Sequence, residues 1–314
     1  MNRGENIMQE GLVEKVGVVG LGAQGWLIAF RCASAHKVTY VYDVSNDSLK
    51  KALNNIQHVF STYVNKGLLT REQAEEKYQK IHVCSTLAEC VVDADIVIEA
   101  VPENLALKQK IWQEIDVLAP QRTLLATNSS SMCSSKIGAD VSRKDRMFNI
   151  NLGAPDNMGP PELDPVEFMY NSETSENTKF IAKKFLHSLQ CIIFETHKEI
   201  QGFSFNRVWR AVKKECLFLW ANGYSSPEMI DRAWMLEFHT TFGPFALMDQ
   251  VGLDVVRDIE QNYYFETGDE SDKPPKELEQ MVAKGHLGVK TGKGFYQYPN
   301  PVYKEAEWLS KKCY

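Results

Sequence analysis

Short runs of apolar, β-branched residues alternate with longer stretches of helical period over the first part of the chain. "KVGVVGL", "KVTYVYD", "DADIVIEAV" and "RTLLAT" read as strands. Between them, "SLKKALNNIQHVFSTYVNKG" and "ENLALKQKIWQEIDVLA" space their apolar residues as amphipathic helices do. Strands that are apolar at nearly every position are buried on both faces, so the alternation predicts a parallel sheet covered by helices. From about residue 200 the strand pattern stops. "FSFNRVWRAVKKECLFLWANG", "SPEMIDRAWML", "GPFALMDQVGLDVVRDIEQNYY" and "PKELEQMVAKG" predict helices, the first and last closed by a glycine at the C-terminal cap. The expected architecture is an α/β, doubly wound Rossmann-type domain over residues 1–199, then an all-helical domain over 200–314, joined near "ETHKEIQG".

Composition narrows the partners. The chain has 314 residues, enough for a sizeable core, and its net charge of −6 comes from 35 basic and 41 acidic residues spread along it. That distribution provides no basic stripe for a phosphate backbone, so nucleic acid is not an expected partner. "VGVVGLGAQGWLIAF" is interrupted by four glycines and ends without a small-residue cleavage site, unlike a secretion signal. No segment approaches the roughly 18 apolar residues that span a bilayer, so no membrane partner is expected either. The seven cysteines, Cys32, Cys84, Cys90, Cys133, Cys191, Cys216 and Cys313, are scattered and contain no CxxC pair. They suit reduced thiols in a cytoplasmic protein and predict no metal site.

The candidate chemistry begins in the first glycine-rich turn. Gly20, Gly22 and Gly25 form G-x-G-x-x-G directly after a predicted strand and before a helix, with Leu21, Ala23 and Gln24 completing the loop. In that context the first glycine permits a tight turn, the second lets backbone approach a pyrophosphate, and the third lets helix and strand pack closely. Asp43 ends the second predicted strand, at the spacing where a carboxylate accepts hydrogen bonds from an adenosine ribose. A carboxylate there repels a 2'-phosphate, so NAD is the expected cofactor.

Three further stretches, "DIVIEAVPENLALKQKIWQEID", "GPFALMDQVGLD" and "HLGVKTGKGFYQYP", together with "ATNSSSM" and "GFSFNR", resemble the 3-hydroxyacyl-CoA dehydrogenase family. The resemblance implies NAD contacts from the glycine loop, Asp43, Glu103, Lys108, Ser130 and Lys290. It also implies that Ser130 and Asn206 hold the substrate oxygen or the catalytic pair, and that Glu167 is the carboxylate that orients the family histidine. A homodimer through the helical domain and a small-molecule 3-hydroxyacyl substrate are implied as well. Lys66 matches a lysine that the family places near the CoA phosphates, but the serine that accompanies it is replaced by Val59.

The family histidine is missing. Asn151 stands in its place, Leu152 and Gly153 replace two aromatics, Ala154 replaces an asparagine, and the segment up to Glu167 is lengthened. Imidazole takes up and releases a proton near neutrality, whereas an amide does not titrate there and can only donate or accept a hydrogen bond. Three groups of replacements for the base are legible: Glu167 itself; Asp156, Glu162 or Asp164 in the lengthened segment; and His239 in "EFHTTFGPF". The expected activity is NAD-dependent interconversion of a 3-hydroxy and a 3-oxo compound, CoA-linked or a small free acid. The alternative is a catalytically silent NAD-binding protein with a structural or sensing role.

Overall fold

The computed structural model describes residues 12–152 and 164–310, and the chain divides into two compact units, Met1–Ser204 and Phe205–Tyr314. Among the described residues no helix is long and apolar enough to cross a membrane.

The first unit is built on eight strands: β1 (Lys15–Val19), β2 (Val38–Tyr42), β3 (Ile81–Val83), β4 (Ile96–Glu99), β5 (Leu124–Thr127), β6 (Met147–Leu152), β7 (Asp164–Tyr170) and β8 (Cys191–Thr196). They lie in the order β3-β2-β1-β4-β5-β6-β7-β8. The sheet is parallel from β3 through β6, as the apolar runs predict. β7 departs from that expectation: it runs antiparallel to β6, and β8 then pairs parallel to β7. The apolar pattern of β1, β4 and β5 marks central strands buried on both faces. β8 alternates buried and accessible positions, as befits an edge, and β3 is only three residues long, so both are weak signals in sequence.

Among the described residues seven helices flank this sheet: α1 (Gly25–Ser34), α2 (Asn46–Asn65), α3 (Arg71–Tyr78), α4 (Leu87–Val91), α5 (Leu105–Leu118), α6 (Ser134–Ile137) and α7 (Glu176–Ser188). Side chains cap several of them: Ser45, Thr70, Thr86, Asn104 and Ser175 each accept a backbone N–H of the first turn. One core packs Ile28, Phe30, Ile56, Phe60 and Phe185 of α1, α2 and α7 against Val16, Val18, Ile98, Phe148 and Phe168. The opposite core packs Cys90, Val91, Trp112, Ile115 and Ile137 of α4, α5 and α6 against Val19, Val97, Leu125 and Met147. Because β1, β4, β5 and β6 run parallel, their C-terminal ends lie along one edge of the sheet, and the candidate site lies there.

The second unit contains α8 (Ser204–Ala221), which starts at the end of the first unit, and then α9 (Pro227–Phe238), α10 (Pro244–Val251), α11 (Leu253–Thr267) and α12 (Lys276–Ala283). The stretch "GPFALMDQVGLDVVRDIEQNYY", expected as helix throughout, is divided between α10 and α11. Gly252 breaks it with φ +102°, a conformation that L side chains rarely adopt. Two buried aspartates organise this unit. Asp231 accepts the N–H groups of Phe245 (2.8 Å) and Ala246 (2.9 Å) in the first turn of α10, and the Tyr296 hydroxyl at 2.9 Å. Asp249 accepts the N–H groups of Phe295 and Tyr296, both at 2.9 Å, and the Tyr298 hydroxyl at 3.0 Å. Gly294 is required by that closeness, since a Cβ there would lie 2.0 Å from Asp249 Oδ1. Arg210 and Lys214 of α8 meet at Asp272 Oδ1 (2.7 and 2.6 Å), and Arg210 also reaches Glu260 of α11 at 3.0 Å.

Candidate active site

The glycine loop takes the form its spacing predicts. Gly20 adopts φ +89° and donates its N–H to Tyr42 O at 2.8 Å. A Cβ on Gly25 would sit 1.8 Å from Gly20 O, so only glycine lets α1 begin this close to the turn. Gly22 differs: a Cβ there would meet nothing within 4 Å. Asp43 accepts the Leu21 N–H at 2.7 Å and the Ser45 N–H at 2.8 Å, tying the loop to the start of α2. Leu21 is buried, whereas Gly22 and Ala23 are exposed. Gln24 occupies the N-cap of α1 without a side-chain cap bond, and its side-chain oxygen is buried with no hydrogen-bond partner among the described residues. Open space over Gly22, an uncapped helix start and an unsatisfied amide oxygen fit the phosphates and polar groups of a dinucleotide.

Behind the loop lies a buried polar network that the sequence reading largely missed. Glu99, the last residue of β4, is fully buried. It accepts hydrogen bonds from Lys108 Nζ (2.7 Å), Val101 N–H (2.9 Å), Trp112 Nε1 (3.2 Å) and Thr127 Oγ1 (2.8 Å). Lys108, expected as a cofactor contact, is 1 % exposed; its ammonium also reaches Val101 O at 3.1 Å and Glu103 Oε2 at 3.2 Å. Glu103 accepts from the hydroxyls of Ser129 and Ser131, the latter at 2.6 Å. Burial opposes ionisation of Glu103, but the two serines and the Lys108 ammonium outweigh it and hold the carboxyl below the usual range. Ser130, the expected cofactor and substrate residue, is exposed between those two serines. The signal for this network was present: a glutamate closing an otherwise apolar strand needs buried partners.

The neighbouring strand end carries Asn151, opposite Glu167. Asn149 and Asn151 share one face of β6. Asn149 is fully buried and holds the 128–134 turn by donating to Ser129 O (3.2 Å) and Met132 O (2.8 Å) and accepting the Ser134 N–H (2.7 Å). Asn128 accepts the Leu152 N–H at 3.2 Å. Asn151 pairs in register with Glu167 across the antiparallel β6–β7 step, and its Nδ2 donates to Glu167 Oε2 at 3.0 Å. Glu167 is 7 % exposed and Asn151 is half-buried. A neutral amide donor thus meets a carboxyl group at the position where the resemblance implies a histidine.

The remaining candidates fall elsewhere. Asp156 and Glu162, like Gly153 and Ala154, lie outside the described residues, and Asp164 opens β7. His239 is exposed in the left-handed conformation at the C-terminal cap of α9, φ 54°. Lys66 is exposed at the end of α2, and Val59, which takes the place of the expected serine, packs in the core. In the second unit, Asn206 stands half-buried in the first turn of α8. Lys290 bridges both oxygens of Asp254 at 2.6 and 2.7 Å.

Comparison with known proteins gives the family. The family description "3-hydroxyacyl-CoA dehydrogenase, NAD binding domain" matches residues 15–194, and "3-hydroxyacyl-CoA dehydrogenase, C-terminal domain" matches 202–298. The chain is 30 % identical to a probable 3-hydroxybutyryl-CoA dehydrogenase of Bacillus subtilis over 91 % of its own length and 98 % of that protein's. It is 25 % identical to a 5-formyl-3-hydroxy-2-methylpyridine 4-carboxylate 5-dehydrogenase of Mesorhizobium japonicum over 91 % of each chain. Among solved structures, the (S)-3-hydroxybutyryl-CoA dehydrogenase of Ralstonia eutropha superposes with a TM-score of 0.82 at 30 % identity, covering 92 % of this chain and 100 % of that one. The chain belongs to the 3-hydroxyacyl-CoA dehydrogenase family, as an NAD-dependent oxidoreductase of that type.

Proposed function

We propose that this protein interconverts a 3-hydroxyacyl compound and its 3-oxo form with the Asn151–Glu167 pair as its proton-handling centre. The observation that carries the reading is the bond from Asn151 Nδ2 to Glu167 Oε2 at 3.0 Å, between two residues in register on adjacent strands. Bound NAD supplies the hydride acceptor in the oxidising direction. Gly20, Gly22, Gly25 and the loop residues between them hold its pyrophosphate, Asp43 its ribose, and Glu103 is held ionised beside the loop by Ser129, Ser131 and Lys108. Glu167 accepts the proton of the substrate hydroxyl, directly or through one water, as hydride leaves the carbon. Asn151, anchored by Glu167, turns its second amide N–H to the substrate oxygen and stabilises the charge that develops there. Ser130 is assigned to the same oxygen. The resemblance assigns the oxygen to Asn206 as well, CoA phosphate to Lys66 and cofactor to Lys290, and each assignment is open to substitution.

The thioester and the free acid both fit the reading. The relative from Mesorhizobium japonicum is named for a pyridine carboxylate, so a fold of this kind also serves a substrate without CoA in its name. Nicotinamide reduction with a panel of 3-hydroxyacyl-CoAs and free 3-hydroxy acids tests the proposal. Turnover with either class supports it. Tight NAD binding by calorimetry with no turnover at high protein concentration overturns it in favour of a silent NAD-binding protein. A homodimer through the second unit is part of the reading, supported by the exposed Phe205, Val208, Phe218 and Phe265 on its helices.

A further inference from the structure

The row of paired residues that contains Asn151 and Glu167 does not stop at β7. Glu167 pairs in register with Phe194 of β8, so Asn151, Glu167 and Phe194 stand side by side on one face of the sheet. Two strand spacings, about 10 Å, separate the first from the last. Exposure rises sharply at the end of the row: Glu167 is 7 % exposed and Phe194 is 55 % exposed. One step along the same face, Ile192 pairs with the exposed Pro165 and is itself 42 % exposed.

Among the described residues, neither core of the first unit includes these side chains. On this face α4, α5 and α6 cover β1, β4, β5 and the start of β6. Further out, Met169 and Thr196 are buried, and the backbone after β8 returns over them: Ile200 N–H meets the Met169 sulfur at 3.3 Å, and Ser204 meets the Thr196 hydroxyl at 2.8 Å. The opposite face of β7 and β8 sends Val166, Phe168 and Cys191 into the other core. Phe194 and Ile192 are thus large apolar groups exposed where a polar side chain would cost nothing, directly beside the buried carboxylate of the proton-handling pair.

We propose that Phe194, with Ile192 beside it, is the apolar wall that selects the hydrocarbon chain of the substrate. This rests on the reading of Asn151 and Glu167 as the reacting centre. A substrate whose oxygen lies at the Asn151 amide and whose proton goes to Glu167 has its next atoms over β7, and a chain continuing along the row meets the Phe194 ring. A short or strongly polar acid would gain nothing from that ring, so the wall favours acyl groups of medium length.

The test uses the full chain with Phe194→Ala and the conservative Phe194→Leu, both checked for an unchanged melting temperature and NAD affinity. In turnover with a series of 3-hydroxyacyl-CoAs, kcat/KM for the medium-chain thioester is expected to fall about ten-fold or more in F194A. Short-chain values should hold within about two-fold, and F194L should recover most of the loss. Equal effects at every chain length, or none, overturn the assignment. Calorimetry with unreactive saturated acyl-CoAs on the NAD-loaded protein separates this inference from the reaction. If the protein turns nothing over yet binds the medium chain more tightly than the short one, and F194A removes that preference, the wall stands and the proposed reaction falls. If the protein shows no chain-length preference, or F194A leaves it unchanged, the wall falls whatever the reaction.

Discussion

Glu99 and Glu167 are both buried carboxylates, and their partners set them different tasks. Glu99 faces the Lys108 ammonium and three further donors, an arrangement that holds the end of β4 against α5. Lys108→Met should therefore leave a buried carboxylate without its cation and lower stability by about 3–5 kcal/mol in urea unfolding. Adding Glu99→Gln should recover much of the loss. If NAD affinity fell instead while stability held, Lys108 would be the cofactor contact that the resemblance implies. Glu167 accepts from the neutral Asn151 amide, and Glu167→Gln should cut kcat by about 10² to 10⁴ with little change in the KM for NAD. Asn151→His restores a titrating group, so it should add an ionisation near the ordinary imidazole value of about 6.5 to the pH profile. The turn and packing roles of Gly20 and Gly25 were legible in sequence because backbone geometry alone dictates them. Ser129 and Ser131 were not, because three adjacent serines share a composition and only the turn decides which of them face Glu103.

At the scale of elements, the strand–turn–helix of β1 and α1 separates the requirements of folding from those of binding. Gly25→Ala must displace backbone, since its Cβ would overlap Gly20 O, and it should destabilise the first unit and weaken NAD binding together. Gly22→Ala meets open space, so the melting temperature should hold; if the pyrophosphate is held here as proposed, calorimetry should read a loss of NAD affinity. Elements with strong periodicity, α2, α5 and the buried strands β1, β4 and β5, were legible. The reversal of β7 was not, since a strand's direction is set by the connection that enters it and leaves no mark on its own apolar pattern. The break at Gly252 was hidden by a helical period on either side of it.

Across the whole molecule, the second unit should respond to pH against the usual trend. Burial pushes Asp231 up to about 6, against an ordinary 3.8, despite the N–H groups of Phe245 and Ala246 and the Tyr296 hydroxyl; burial also raises Asp249. The folded state then binds a proton that the unfolded state has lost, so stability falls as pH rises from about 4 through 6. This group should make the unit more stable at pH 5 than at pH 7 by about 1 kcal/mol. Asp272 acts in the opposite sense: burial opposes its ionisation, but Lys214, Arg210 and Thr267 more than offset it and depress its carboxyl. Its contribution is present above 3.8 and is lost only in stronger acid. Melting temperatures of the protein and of Asp231→Asn between pH 5 and 7 check this, the variant showing the shallower slope.

The "GKGFYQY" turn that closes around Asp249 has a consequence for how such chains are found. Its glycine is demanded by a carboxylate 2.0 Å from any Cβ, and its tyrosines by the hydroxyls that satisfy two buried aspartates. Those demands come from packing inside one unit and are indifferent to whether a histidine or Asn151 stands in the other. A genome search keyed to this turn therefore retrieves a scaffold, active and inactive alike. The register position opposite Glu167 is the place to sort them.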